Sequence, residues 1–235
     1  MRPETGSAGA EAVDRGPRRP FHGLFAPGIC FESGHSVWLY QFESTPTPLG
    51  DHAEVRVVDP GGGPTLFVDR APAAEYAERH HAFDRAVPAT TWRWPDDRHL
   101  ELHVRGVEGS RLDCSLALAD TPSARLASLA ARLTPDAVAR TRLGRTLSAA
   151  TLDSLVGLGR VRAAGLTERG VPYREVPERV ALVEAARAVV DGCDCGRVVT
   201  PDPDDPVAFG DARAPARPAV FFGDLLLASP VDPVE

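Results

Sequence analysis

The sequence predicts an α+β protein: an antiparallel sheet with a helical insertion at about residues 121–157. Three observations support that class. From Thr90 to Leu118, apolar and polar residues alternate over three runs divided by turn sequences, the period-two signature of strands with one buried face. From Thr121 the period changes, and Leu126, Leu129 and Leu133, then Val138, Leu143 and Leu147, recur at helical intervals. Strand-like runs return after Gly157.

Residues 1–20 are rich in Gly, Pro, Ala and charge, a composition that cannot repay the entropy of ordering. They read as a disordered tail before a single α+β domain over 21–235. From Phe21 aromatic and aliphatic residues take over. Ser36 to Glu43 places Trp38, Tyr40 and Phe42 on one face of a strand, with Val37 and Leu39 opposite. Glu54 to Val58 and Thr65 to Val68 form a hairpin about a proline- and glycine-rich turn, residues 59–64. Pro72 suits the first turn of a short helix that carries Tyr76, His80 and Phe83 along one stripe.

The meander follows. In it Leu100, Leu102 and Val104 alternate with His99, Glu101, His103 and Arg105, and Leu112, Cys114, Leu116 and Leu118 repeat the pattern on the return strand. Thr121-Pro122 and Thr134-Pro135 each pair an N-cap with proline at the first helical position, so two or three helices fill Ser123 to Val156. Arg160 to Leu166 and Val171 to Val176 read as short strands around Glu168-Arg169-Gly170. Glu178 to Val190, alanine-rich with Pro177 before it and Gly192 after it, reads as a helix, while Val180, Leu182, Val189 and Val190 would also suit a strand. Thr200 to Pro218 is an exposed connection, and Ala219 to Ala228 is a final apolar strand.

Composition narrows the function. All 26 basic residues are arginine, and a net charge of −7 with a pI near 5.5 opposes broad attraction to nucleic acid or anionic membrane. No nucleic-acid partner and no membrane span are expected, since no apolar run reaches the roughly 18 residues that a span needs. Four cysteines are too few for a disulfide scaffold in a chain of this size, which points to a reducing cytoplasm.

Several residues carry chemistry worth placing. Cys193 and Cys195 offer two thiols one residue apart, but structural zinc wants two close pairs, and no second pair is present. His80, His81 and Asp84 put imidazoles and a carboxylate on one helical face without completing a ligand set. No metal and no cofactor are therefore expected. Ser33-Gly34-His35 is turn composition, and Gly61 to Gly63 lacks the ending of a phosphate loop. Glu101, His103 and Asp113 would serve as acids and bases if the polar side of the meander lined a cavity. Trp38, Tyr40, Phe42, Trp92 and Trp94 would give such a cavity an aromatic wall, and core packing accounts for them equally well.

The order of pieces from Phe31 to Leu118, FESGHSVWLYQFE, then EVRVVDPGGGPTLFV, then TWRWPDDRHLELHV and RLDCSLAL, resembles half of the lipocalin-like barrels of the hydroxyneurosporene synthase type. YREVPERVALVEAARAVVDG is more loosely similar to later strands of that group. The resemblance implies a closed or nearly closed antiparallel barrel around an apolar cavity for a terpenoid, polyketide or fatty ligand. It carries over no catalytic residue. The expectation is thus a binder of a hydrophobic small molecule. The alternatives are an enzyme that hydrates, isomerises or cyclises such a molecule, and a protein that docks a partner through its helical leucines. The sequence leaves the oligomeric state open.

Overall fold

The computed structural model of the protein describes residues 18–45, 50–88, 91–106, 109–134, 150–159, 161–202 and 207–228. Ten strands run side by side in one sheet, in the order β5-β4-β3-β2-β1-β14-β10-β8-β7-β6. They are β1 (Arg18–Cys30), β2 (Ser36–Ser44), β3 (His52–Val58), β4 (Pro64–Val68), β5 (Arg85–Pro88), β6 (Thr91–Asp96), β7 (His99–Arg105), β8 (Arg111–Ala119), β10 (Pro172–Val190) and β14 (Ala219–Ala228). The short strands β9 (Ala164–Leu166) and β11 (Cys193–Asp194) both pair with β10. A separate hairpin joins β12 (Ala208–Phe209) to β13 (Ala212–Arg213). Two helices are α1 (Ala71–His80) and α2 (Pro122–Leu133), and residues 150–156 are also helical. Among the described residues no helix is long and apolar enough to cross a membrane.

The expected α+β class and the antiparallel character hold, with one exception. β4 and β5 are parallel, as the crossover helix α1 between them requires. Its buried face, Ala73, Ala77 and His80, packs on Leu66 and Val68 of β4. Between β7 and β8, Leu100 faces Leu116 and Leu102 faces Cys114, as the alternation requires. α2 starts as expected, with the Thr121 side chain accepting from the Ala124 amide and proline in the first turn. The expected helices across 135–149 lie outside the described residues.

Two expectations need correction. Residues 18–20, assigned to a disordered tail, belong to β1 and pair with Leu226 to Ala228 of β14. Glu178 to Val190 is strand, not helix. It forms the second half of the 19-residue β10, paired with β14 over 173–182 and with β8 over 182–190. Alanine and glutamate favour helix only weakly as isolated residues, and two flanking strands with open ladders override that preference. Gly192, read as the helix stop, and Asp191 before it both have positive φ and turn β10 into β11 with Val190 opposite Cys193. That is a two-residue hairpin turn, for which Asp-Gly is a preferred sequence.

The sheet coils so far that its two ends share one core. Leu24, Ala26, Val37, Leu39, Val55, Val57, Phe67 and Val87 from β1 to β5 pack in one cluster with Leu100, Leu102, Val104, Leu112, Leu116 and Leu118 from β7 and β8. The strand path nevertheless ends at β5 and β6, and no ladder joins them among the described residues. Gly23 and Gly223 face each other where β1 and β14 bend. A Cβ at Gly23 would lie 2.0 Å from the Gln41 carbonyl oxygen, and one at Gly223 would lie 2.3 Å from that of Val176. At the same level β10 carries Pro177 beside a register shift, the setting in which proline is tolerated inside a sheet.

The inside of the coil is packed with side chains, and Leu100, Leu102 and Val104 are almost wholly buried in it. A second cluster covers the opposite face of the sheet. It joins Phe21, Phe25, Trp38, Tyr40 and Phe42 to Tyr173, Phe221, Leu225 and Leu227, with Ala124 and Ala127 of α2 and Leu158 above them. The candidate site lies on this second side.

Candidate functional site

β3 builds the floor of the site. Its odd residues Ala53, Val55 and Val57 face the coiled core, so His52, Glu54 and Arg56 face the other way. All three are nevertheless buried. Arg56 Nη2 donates to Glu54 Oε2 at 3.0 Å, and the guanidinium carbon lies 4.5 Å from the Tyr40 ring centroid. Phe83 and Phe209 stand at 5.5 and 5.6 Å, completing an aromatic surround of the kind that holds a desolvated cation.

Burial works against the Glu54 carboxylate, but the attraction of His52 and Arg56 outweighs it and holds the pKa down to about 2. His52 Nε2 lies 3.4 Å from Glu54 Oε1, near enough for attraction though not aligned as a hydrogen bond. Its Nδ1 donates to the Gly50 carbonyl oxygen at 3.2 Å. With both ring nitrogens facing acceptors, the proton-bearing form is favoured. Burial opposes that charge, Glu54 more than offsets it, and the His52 pKa is raised.

One wall comes from the residue after α1. His81 Nδ1 is 2.7 Å from Glu168 Oε2 and 3.3 Å from Arg56 Nη1. One ring nitrogen cannot donate to the first and accept from the second. The shorter contact, to a carboxylate, assigns the proton to Nδ1 and leaves the lone pair on Nε2. Burial, then the Arg56 charge, depress the His81 pKa to about 4 despite Glu168, so the ring is neutral near pH 7. Burial works to raise the Glu168 carboxyl, but the His81 hydrogen bond leads the effects that bring it below its usual value. The 167–170 turn that carries Glu168 is clasped to the same residue a second time, because Arg169 Nε donates to the His81 carbonyl oxygen at 2.8 Å.

Further lining comes from β10 and β14. Tyr173 and Glu175 sit two residues apart on β10, and Leu225 and Leu227 stand beside them on β14. Together with Tyr40, Arg56, His81, Thr167, Phe209 and Ala212 they line a cleft with about 350 Å³ of empty space, part of it open to solvent. Its enclosed part is a cavity of about 20 Å³, room for one or two waters. Glu175 is only 9% exposed, and its carboxyl has no hydrogen-bond partner among the described residues. Burial raises its pKa to about 8, so near pH 7 it is mainly the neutral acid.

The cleft therefore holds a protonated carboxyl, a neutral imidazole with a free lone pair and a guanidinium within an otherwise apolar lining. The chain contains no lysine, so imine formation through a lysine amine is closed to it.

Of the residues singled out from sequence, Tyr40 lines the cleft. Trp38 is buried behind it, donating from Nε1 to Ser36 Oγ at 3.2 Å with its ring edge-on to Phe209. Phe42 packs against Phe21 and His52. Trp94 packs on the coiled core, and its Nε1 donates to Gln41 Oε1 at 3.3 Å. The Trp92 side chain lies outside the described residues.

Glu101, His103 and Asp113 are brought together, but on the outer surface of the meander and away from the cleft. His103 Nδ1 is 2.8 Å from Asp113 Oδ1, and Glu101 pairs with Arg93 at 2.9 Å. Asp113 also meets Arg105 at 2.9 Å, and the His103 side chain is 52% exposed. His80 uses Nδ1 to reach the Tyr76 carbonyl oxygen at 2.8 Å. The four cysteines are free thiols, with Cys193 exposed and Cys195 buried. Among the described residues no group of three or more His, Cys, Asp or Glu side chains is placed to hold a metal ion. Leu126, Leu129 and Leu133 lie on the exposed side of α2.

Sequence pattern does not mark Arg56 or Glu175 as site residues, because nothing in the period-two pattern of β3 or β10 separates a polar face in water from one that is covered, and Glu168 reads as part of a turn.

No protein-family model matches the chain, and no curated protein matches it. Among solved structures, an acetoacetate decarboxylase from Legionella pneumophila subsp. pneumophila str. Philadelphia 1 is similar at 10% identity, over 91% of this chain and 86% of that one, with a TM-score of 0.42.

Proposed function

We propose that this protein binds a small organic molecule in the cleft between β2, β3, β10 and β14, with Arg56 and Glu175 as its polar anchors. The observation that carries this reading is the Glu175 carboxyl, nine-tenths buried, unpartnered and facing the cleft. Its carboxyl borders the cleft space, where a ligand that accepts a hydrogen bond from the acid gives it a partner.

Tyr40, Phe209, Leu225 and Leu227 supply an apolar wall, which suits the hydrocarbon part of such a ligand and supports the expectation of a partly hydrophobic guest. The enclosed part of the cleft, with room for one or two waters, favours a molecule of a few heavy atoms over a whole terpenoid or fatty chain, whose pockets generally enclose several hundred Å³. The likeness of Phe31 to Leu118 to hydroxyneurosporene-synthase-type barrels rests on strand order, and the proposed cleft lies outside the coil that such a barrel would enclose.

Saturation-transfer NMR with short-chain ketones, keto acids, amides and alcohols tests the reading. Saturation transfer to a carbonyl compound that is abolished in Glu175→Leu, with the fold intact by circular dichroism, is the expected result. Transfer equal in wild type and Glu175→Leu, or none to any compound, overturns it.

A further inference from the structure

The cleft presents an acid and a base in complementary protonation states, a pairing that separates two titratable groups into defined roles. We infer that the protein catalyses keto–enol proton transfer on a small carbonyl compound, with Glu175 as general acid and Nε2 of His81 as general base. This deepens the binding reading above and rests on it.

Three placements support the assignment. Glu175 and His81 line the same small cleft, so a molecule seated in it has both at hand. His81 Nδ1 is engaged by Glu168 at 2.7 Å, which fixes the tautomer that keeps Nε2 basic and offsets the charge of the imidazolium formed during the reaction. Glu168 is thereby a positioning residue. Arg56 lines the cleft beside them, where its charge stabilises negative charge developing on the substrate oxygen.

The step balances without a co-reactant. His81 Nε2 takes a proton from the carbon next to the carbonyl, and the C–H electron pair becomes the C=C bond of the enol. The C=O π pair takes the Glu175 proton and becomes the O–H bond. The products are the enol, a Glu175 carboxylate and a His81 imidazolium. Return of the protons to the same carbon exchanges its hydrogen with solvent. Return to a different carbon or face isomerises the compound.

The probes are 2-butanone and 2-oxobutanoate in D₂O, with deuterium uptake at the α-carbon followed by proton NMR and binding followed by saturation transfer on the same samples. Wild-type protein is expected to speed uptake in at least one probe. Glu175→Gln and His81→Asn each reduce that acceleration about a hundredfold or more, and Glu101→Gln, on the outer surface, leaves it unchanged. The wild-type rate against pH provides a readout that does not depend on a variant folding. It rises through about pH 4, where His81 loses its proton, and falls through about pH 8, where Glu175 ionises.

Saturation transfer to both probes without uptake above buffer overturns the catalytic inference and leaves the binding reading standing. Uptake that persists in both variants, or that is flat in pH, overturns the assignment of these two residues. Absence of saturation transfer to either probe overturns both readings for carbonyl compounds.

Discussion

Glu168 Oε2 lies 2.7 Å from Nδ1 of His81, a contact made across 87 positions of sequence. It ties the turn between β9 and β10 to the end of α1, and it decides which nitrogen of the ring keeps its lone pair. Glu168→Gln removes the carboxylate but retains an acceptor oxygen. The variant is expected to fold, to hold His81 less firmly in that tautomer and to weaken its basicity, which ¹⁵N chemical shifts of the ring report directly. Identical nitrogen shifts in both proteins would sink the assignment.

His81 itself should be silent over the range in which most histidines titrate. Its folded pKa is depressed to about 4, chiefly by burial, whereas the unfolded chain protonates near 6.5. A depressed histidine contributes stability that is complete above the unfolded value and is lost as pH falls through the folded one. A ring Cε1 proton shift that stays constant from pH 8 to pH 5 is the expected outcome. A midpoint near 6.5 contradicts it.

Glu175 and Glu54 act on stability in opposite senses. Glu175 has its folded pKa raised to about 8 by burial, so its contribution is greatest below the unfolded value near 4.5 and declines as pH rises from there to about 8. That decline is on the order of 5 kcal/mol at most, at about 1.4 kcal/mol per pH unit. Glu175→Gln removes it. The urea midpoint of the variant relative to wild type should therefore climb between pH 5 and pH 8, and a constant difference refutes the linkage.

Glu54 is held down to about 2 against its burial by His52 and Arg56. Its contribution is complete above about 4.5 and is lost as pH falls through about 2. Glu54→Gln leaves the Arg56 charge buried among aromatic rings with one hydrogen bond weakened. Removing one partner of a buried pair costs roughly 3–5 kcal/mol, so a large drop in the urea midpoint at pH 7 is expected. Arg56→Met with Glu54→Gln together should recover part of it, which a double-mutant cycle measures.

The meander gives a matched pair of controls. Leu102 is fully buried in the coiled core, and Leu102→Ala should cost about 2–5 kcal/mol. His103→Ala, one residue on, faces water and should change stability by no more than about 0.5 kcal/mol. Equal losses at both positions would mean that the faces of β7 are wrongly assigned.

Much of this fold was legible in the chain. The hairpin at 52–68, the meander, helix α1 and the capped start of α2 follow from alternation, turn residues and N-cap chemistry. The misread segment, Glu178 to Val190, contained its own correction, since Asp191-Gly192 is a hairpin signal as much as a helix stop. The parallel strand β5 carries four residues and no pattern of its own, and only its pairing with β4 makes it a strand.

The site shows where sequence stops. In β3 the polar phase is His52, Glu54, Arg56, and in β7 it is His99, Glu101, His103, Arg105. The two patterns are nearly the same, and both determine a strand with one apolar face. In β7 that polar face meets solvent; in β3 aromatic rings and His81 cover it, and every polar side chain on it is buried. Alternation along a strand fixes which side chains share a face, because it is a local property of the backbone. What lies over that face is set by packing between segments far apart in the chain, and at β3 this packing turned an ordinary polar edge into a charged, water-poor cleft.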